Sequence, residues 1–142
     1  MAKFLRVTCI ALAAGCLSTV CLAAEASAFD GAWDVTLSCP GSADGRALAY
    51  SYAFPAQVKN GVLHGERGEA RQPGWMQLDG PIGPNGAASL IAEGLTNLPN
   101  YALYNVSKGT PYKHPVQAQF GKDNGSGSWI TVRTCNFAFV KR

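Results

Sequence analysis

The sequence has little of the material from which catalytic motifs are built. Of its 142 residues only two are histidines, His64 and His114. There is no Gly-x-Ser-x-Gly elbow, no glycine loop suited to cradling phosphate, no His-Glu-x-x-His and no cysteine pair at zinc spacing. These absences remove the common nucleophile, nucleotide and metalloprotease signatures, so any activity would rest on dispersed residues. Charge is thin as well, with twelve Lys or Arg against nine Asp or Glu. A balance so mild and so scattered excludes the basic stripe that marks a nucleic-acid or anionic-membrane binder. No window carries a helical stripe. Beyond residue 28 no apolar run is long enough to span a bilayer.

The five cysteines divide unevenly. Cys9, Cys16 and Cys21 fall in an N-terminal stretch with the three parts of a secretory signal: Lys3 and Arg6, an uncharged apolar run over residues 7–24, and Ala26-Ser27-Ala28. The small-x-small triplet places cleavage between Ala28 and Phe29. A retained membrane anchor is the alternative, but alanines, Gly15, Ser18 and Thr19 make the run less apolar than a typical span. Gly15-Cys16 resembles the end of a lipobox, with Ala13 where leucine is usual. Removing residues 1–28 takes away Lys3, Arg6 and Glu25, leaving ten cations, eight anions and a single domain's length of chain. Export puts the two remaining cysteines, Cys39 and Cys135, in an oxidising compartment where thiols pair. One disulfide is therefore expected between the first and last parts of a periplasmic or secreted domain. Two free thiols, one of them a nucleophile, are the rival.

Turn signals punctuate the rest: Asp44-Gly45, Asn60-Gly61, Pro73-Gly74, Asn85-Gly86 and Asp123-Asn124-Gly125. Between them lie short runs of period-two alternation, the mark of an all-β sandwich or barrel. Eight strands are expected, over residues 32–39, 49–58, 62–66, 75–82, 87–93, 101–106, 112–120 and 129–140. Trp33, Val35, Leu37 and Cys39 share one face of the first. Tyr50, Tyr52, Phe54 and Ala56 share one face of the second, and Val116, Ala118 and Phe120 one face of the seventh. Asn60-Gly61 suits a two-residue type I′ hairpin turn, whose central positions need positive φ. Sequential hairpins favour an up-and-down meander. A disulfide between its outer strands makes closure into a small barrel economical, with a two-sheet sandwich as the alternative. In the last run Ile130 and Val132 have one parity and Cys135, Phe137 and Phe139 the other. A β-bulge near Arg133-Thr134 is expected to restore the phase.

Candidate chemistry is sparse. His64 and Glu66, two apart on one strand face, could join His114 in a two-His-one-carboxylate metal site, but the favoured reading puts His64 on the polar face of a hairpin and His114 in a loop between Lys113 and Pro115. Glu66 and Glu69 could be paired hydrolytic carboxylates, yet they sit with Arg67 and Arg71 in a mixed-charge loop over residues 65–72. No catalytic, metal or cofactor residue is assigned. The aromatics carry more. Trp33 belongs to the core. Trp75 and Trp129 flank turns, and Tyr101, Tyr104 and Tyr112 lie in or beside loops. Rings with a polar tip near an open barrel end suit a small molecule, a sugar or a protein surface. The candidate ligand or partner surface is Trp75, Trp129, Tyr101, Tyr104, Tyr112, His64, Glu66, Arg67 and Arg71. Asn105-Val106-Ser107 matches a glycosylation triplet, relevant only in a glycosylating host.

Phe29-Asp30-Gly31-Ala32-Trp33, Cys39-Pro40, Pro73-Gly74-Trp75, Gly109-Thr110-Pro111-Tyr112 and the terminal Cys135-x-Phe-x-Phe span the whole domain. Together they resemble a group of small exported bacterial proteins without an established activity. The resemblance implies a compartment and carries no catalytic residue. Gly31-x-Trp33 is similar to the motif that closes one barrel end in lipocalins and avidins. The expected function is a non-enzymatic exported β-barrel, monomeric, binding a small molecule, glycan or exported protein, with neither nucleic acid nor membrane as partner. Alternatives are an inhibitor or modulator of an exported enzyme, acting through residues 65–72 or the N-terminal segment, and a small hydrolase.

Overall fold

The structure, a computed structural model, describes residues 26–142. Cys9, Cys16, Cys21 and nearly all of the export segment lie outside those residues. Eight antiparallel strands form one closed barrel in chain order. They are β1 Gly31–Cys39, β2 Tyr50–Lys59, β3 Val62–Arg67, β4 Met76–Pro81, β5 Ala87–Leu95, β6 Pro111–Phe120, β7 Asn124–Ile130 and β8 Thr134–Lys141. Closure comes from β1, which pairs with β2 on one side and with β8 on the other, Trp33 opposite Lys141 through Ser38 opposite Asn136. Closing the sheet pairs both outer edges. Cys39 and Cys135 are disulfide-bonded across this seam. No helix among the described residues is long and apolar enough to cross a membrane.

Alternation along each strand sends one set of side chains inward. The inward set packs one half of the barrel solid. Trp33 is fully buried, and Val35, Leu37, Leu63, Leu78, Leu90, Val116, Phe137 and Phe139 are buried in the same core. The chain ahead of β1 closes this end. Phe29 folds under Trp33, whose indole N–H donates to the Phe29 carbonyl at 2.9 Å. Phe120 meets both, edge-on to Trp33 at 5.3 Å and to Phe29 at 6.2 Å. The Asp30 carboxylate accepts from the Asn60 and Gly61 amides, each at 2.9 Å, so the closing segment is tied to the β2–β3 turn. Asn60 and Gly61 have φ of 51° and 72°, as that turn requires.

Two of the expected strands are corrected. Residues 101–106 are not a strand. They belong to a long connection with two short 3₁₀ turns, Pro99–Tyr101 and Leu103–Asn105. Tyr104 and Asn105 take φ of 60° and 48°, which no extended run can contain. The expected single strand over 129–140 is in fact two, and the expected bulge is a tight turn. Thr131 N–H donates to the Arg133 carbonyl at 3.2 Å, and the Thr131 hydroxyl donates to the same oxygen at 2.9 Å. The parity change is thus a reversal of direction, and Ile130 and Val132 face solvent. One strand lost and one gained keep the number at eight. The even number matters, because a seventh strand of a meander runs parallel to the first and could not close on it antiparallel.

The strand that escaped notice, β7, begins Asn124-Gly125-Ser126-Gly127-Ser128 and reads as a flexible turn. Glycine is unfavourable in a strand unless something needs the space. Here β6 needs it: a Cβ on Gly127 would lie 2.7 Å from the Ala118 Cβ. Close approach of β6 and β7 inside a narrow barrel selects the residue that local propensity disfavours.

Candidate functional site: the open end of the barrel

The inward parity that builds the packed half continues to the other end with different chemistry. On β2 the inward series Val58, Ala56, Phe54 continues as Tyr52 and Tyr50. On β6, Phe120, Ala118 and Val116 are followed by His114 and Tyr112. On β3, Leu63 and Gly65 are followed by Arg67. Trp129 ends the inward series of β7. The barrel is therefore greasy at the Phe29 end and aromatic-polar at the Cys135 end. There it stays open, around a cavity of about 690 Å³. Its rim is the connection carrying Leu98, Tyr101 and Tyr104, together with the β7–β8 turn. The volume falls within the ~300–1,000 Å³ range of small-molecule sites.

The rings form two walls. Tyr50 and Tyr52 stack at 5.8 Å, and Tyr101 meets Tyr50 edge-on at 6.2 Å. In the second wall, Tyr112 stacks on His114 at 5.6 Å, and Trp129 lies 5.0 Å from the imidazole. Gly94, opposite Tyr112 in the β5–β6 register, makes room for the phenol, since a Cβ there would lie 2.6 Å from its hydroxyl. Two guanidinium groups lie against the first wall, Arg67 4.0 Å over the Tyr52 ring and Arg133 5.1 Å over the Tyr50 ring. Arg133 also donates to the carbonyls of Pro40, Leu48 and Tyr101 at 3.0, 3.2 and 2.6 Å, which ties three loops into one rim. Among the described residues Arg67 has a single backbone acceptor, the Gly74 carbonyl at 3.3 Å. Among the described residues no Asp or Glu lines the cavity.

Burial governs ionisation here. It raises the Tyr52 and Tyr112 hydroxyls well above the usual phenol range; Tyr112 and Tyr50 add to the effect at Tyr52, while at Tyr112 Tyr50 adds to it and Tyr52 opposes it. Tyr50 is raised by burial against the opposing pull of Arg133. All three are neutral hydrogen-bond donors at physiological pH. Burial lowers His114 below its ordinary 6.5, so its imidazole is uncharged at neutral pH. The folded protein then binds fewer protons than the unfolded chain on the acid side of that value. Stability is full above about pH 6.5 and falls as the pH drops through the lowered folded value. We expect the urea midpoint to fall between about pH 7.5 and pH 5, and His114→Gln to flatten that fall. An unchanged slope in the variant would place the titration elsewhere.

The structure brings Trp129, Tyr101, Tyr104, Tyr112 and Arg67 to the cavity and leaves the other candidates outside it. Trp75 lies on the outer side, where its indole N–H donates to Glu66 at 2.6 Å. His64 faces outward and pairs with Asp79. Arg71 and Glu69 are exposed in the loop after β3. His64 and Glu66 are thus across the barrel wall from His114, and the two-histidine set does not assemble. Glu66 and Glu69 do not enter the cavity as a carboxylate pair. Four contributors were outside the candidate surface read from the sequence: Tyr50 and Tyr52, although their inward parity was legible, Arg133, which was placed in a continuous strand, and His114, which was considered only as a metal ligand.

Comparison of the chain with protein-family profiles, with curated proteins and with solved structures gives no match. The fold and the site therefore rest on this molecule's own geometry, which defines a closed eight-stranded barrel with one sealed and one open end. A buried disulfide fits an oxidising compartment outside the cytosol.

Proposed function

We propose that the protein is a non-enzymatic, exported binding protein that holds a small molecule in the open end of its barrel. The observation that carries this reading is the aromatic cavity of about 690 Å³ above a solidly packed half. A signal over residues 1–28, the Cys39–Cys135 bridge and the resemblance to small exported bacterial proteins support a periplasmic or secreted location. The cavity offers donors and ring faces rather than a nucleophile with a base beside it, which favours binding over turnover. Trp129 stands in its wall, so an occupant should change tryptophan emission. Titration with aromatic compounds and saccharides should give a saturable change with at least one class, lost in Trp129→Phe while calorimetry still registers binding. No saturable response across the panel by either method would overturn the reading.

A modulator of an exported enzyme is the second reading. It is favoured by the apolar rim, where Tyr104, Ile130 and Val132 are 77%, 79% and 73% exposed. A stoichiometric enzyme recovered from periplasmic extract by the wild type, and lost with Ile130→Asp/Val132→Asp, would select it.

A further inference from the structure

Resting on the small-molecule reading, we infer that the occupant is a flat aromatic acid, its ring system lying in the aromatic cavity that Tyr50 and Trp129 line and its carboxylate on Arg67. The argument begins with unequal commitment of the two cations. Arg133 is held by three backbone carbonyls and serves the rim. Arg67 reaches inward from the last position of β3 to line the cavity, and its one hydrogen bond among the described residues is the long one to Gly74, which leaves most of its five N–H donors without an acceptor there.

Its charge is uncompensated. The acidic side chains nearest in sequence are engaged or exposed outside the wall, Glu66 with Trp75 and Asp79 with His64. Elsewhere on the outer face Glu93 pairs with Lys113. A half-buried guanidinium without a carboxylate partner attracts one from a ligand, and its planar fork matches the two oxygens. The remaining polar tips in the cavity are the hydroxyls of Tyr50, Tyr52 and Tyr112 and the imidazole of His114. The hydroxyls can donate to an acceptor-rich headgroup and none carries negative charge at neutral pH. Tyr50, Tyr52, Tyr101, Tyr112 and Trp129 make most of the lining aromatic, which suits a ring system better than a sugar acid or a simple inorganic anion. The guanidinium already lies over the Tyr52 ring, 4.0 Å from its centroid, so it is held in place before the ligand arrives.

The test uses three probes of one shape, 2-naphthoate, 2-naphthamide and methyl 2-naphthoate, titrated calorimetrically into the oxidised protein at pH 7.5. The wild type should bind naphthoate about tenfold more tightly than either neutral probe, the usual advantage of a hydrogen bond to a charged group. Arg67→Gln should remove that advantage, so that naphthoate and naphthamide bind the variant equally, and Arg67→Lys should keep part of it. Equal wild-type affinity for the acid and the neutral probes overturns the acid inference while sparing the cavity reading. Binding of none of the three overturns this inference, and the cavity reading then stands or falls on the wider panel. Selectivity retained in Arg67→Gln places the carboxylate elsewhere and also overturns the assignment. The wild-type comparison requires no variant to fold.

Discussion

Replacing Cys39 and Cys135 together with alanine should lower the free energy of unfolding by about 4–5 kcal/mol. The bridge joins residues 96 apart, so it closes almost the whole described domain into one loop of the denatured chain. In the chain-entropy treatment a loop of that length loses more freedom than a short one, and the folded state is favoured by the difference. The strands it joins remain paired without it, since β1 and β8 keep their own ladder over six residue pairs. The loss should therefore appear as a lower denaturant midpoint with the barrel still formed in water. Both cysteines are buried, at 2% and 1% exposure, so a mild reductant should open the bridge slowly in the folded protein and quickly in urea. Guanidinium unfolding of the oxidised wild type and the double alanine variant gives the difference directly. A change under about 1 kcal/mol would mean that the denatured chain already keeps its ends together, and the entropic account would fail.

Trp33→Ala should cost about 3–5 kcal/mol, the usual range for deleting a fully buried aromatic side chain. Trp33 is completely buried, and three interactions meet on it: edge-on contact with Phe120, the indole bond to the Phe29 carbonyl and the Lys141 ammonium 5.8 Å above its ring. Deleting the side chain opens a void at the sealed end and frees Phe29, the residue that closes it. Trp33→Phe separates the contributions, because it keeps much of the volume and loses the N–H. That loss leaves the Phe29 carbonyl without its partner and should cost about 1–3 kcal/mol. Urea denaturation of both variants checks the order. If the alanine variant is no less stable than the phenylalanine one, packing around Trp33 does not hold this end shut.

Much of the barrel was legible because six of its strands alternate cleanly and are bounded by strong turns. The inward faces of β1, β2, β4 and β6 follow from parity alone, and the Asn60-Gly61 hairpin from the φ values it needs. Legibility failed where local propensity and tertiary need diverged. Gly125 and Gly127 disguise β7 as a turn, although the crowding of β6 is what requires small residues there. Thr131 to Arg133 contains no glycine or proline, so nothing local announces the reversal between β7 and β8. Tyr101 to Val106 alternates by chance; Asn105 tolerates the left-handed region, but Tyr104 beside it is not a residue that advertises a turn.

The open end divides in the same way. Parity already assigns Tyr50, Tyr52 and Tyr112 to the interior, since a strand's period of two is a property of the chain itself. Which of the inward residues meet is a matter of register and closure, and these depend on pairings between segments far apart in the chain. Arg67 and Glu66 are neighbours in sequence, yet the pleat sends one into the cavity and the other to Trp75 outside. Arg133 reaches Pro40, Leu48 and Tyr101 only because the barrel closes and carries three distant loops to one rim. Alternation and cysteine placement are local or pairwise signals, so the chain alone specifies a stapled β-protein with a Trp33 core. The cavity, its uncompensated cation and the separation of His64 from His114 arise from long-range pairing, and they exist only once all eight strands have closed on one another.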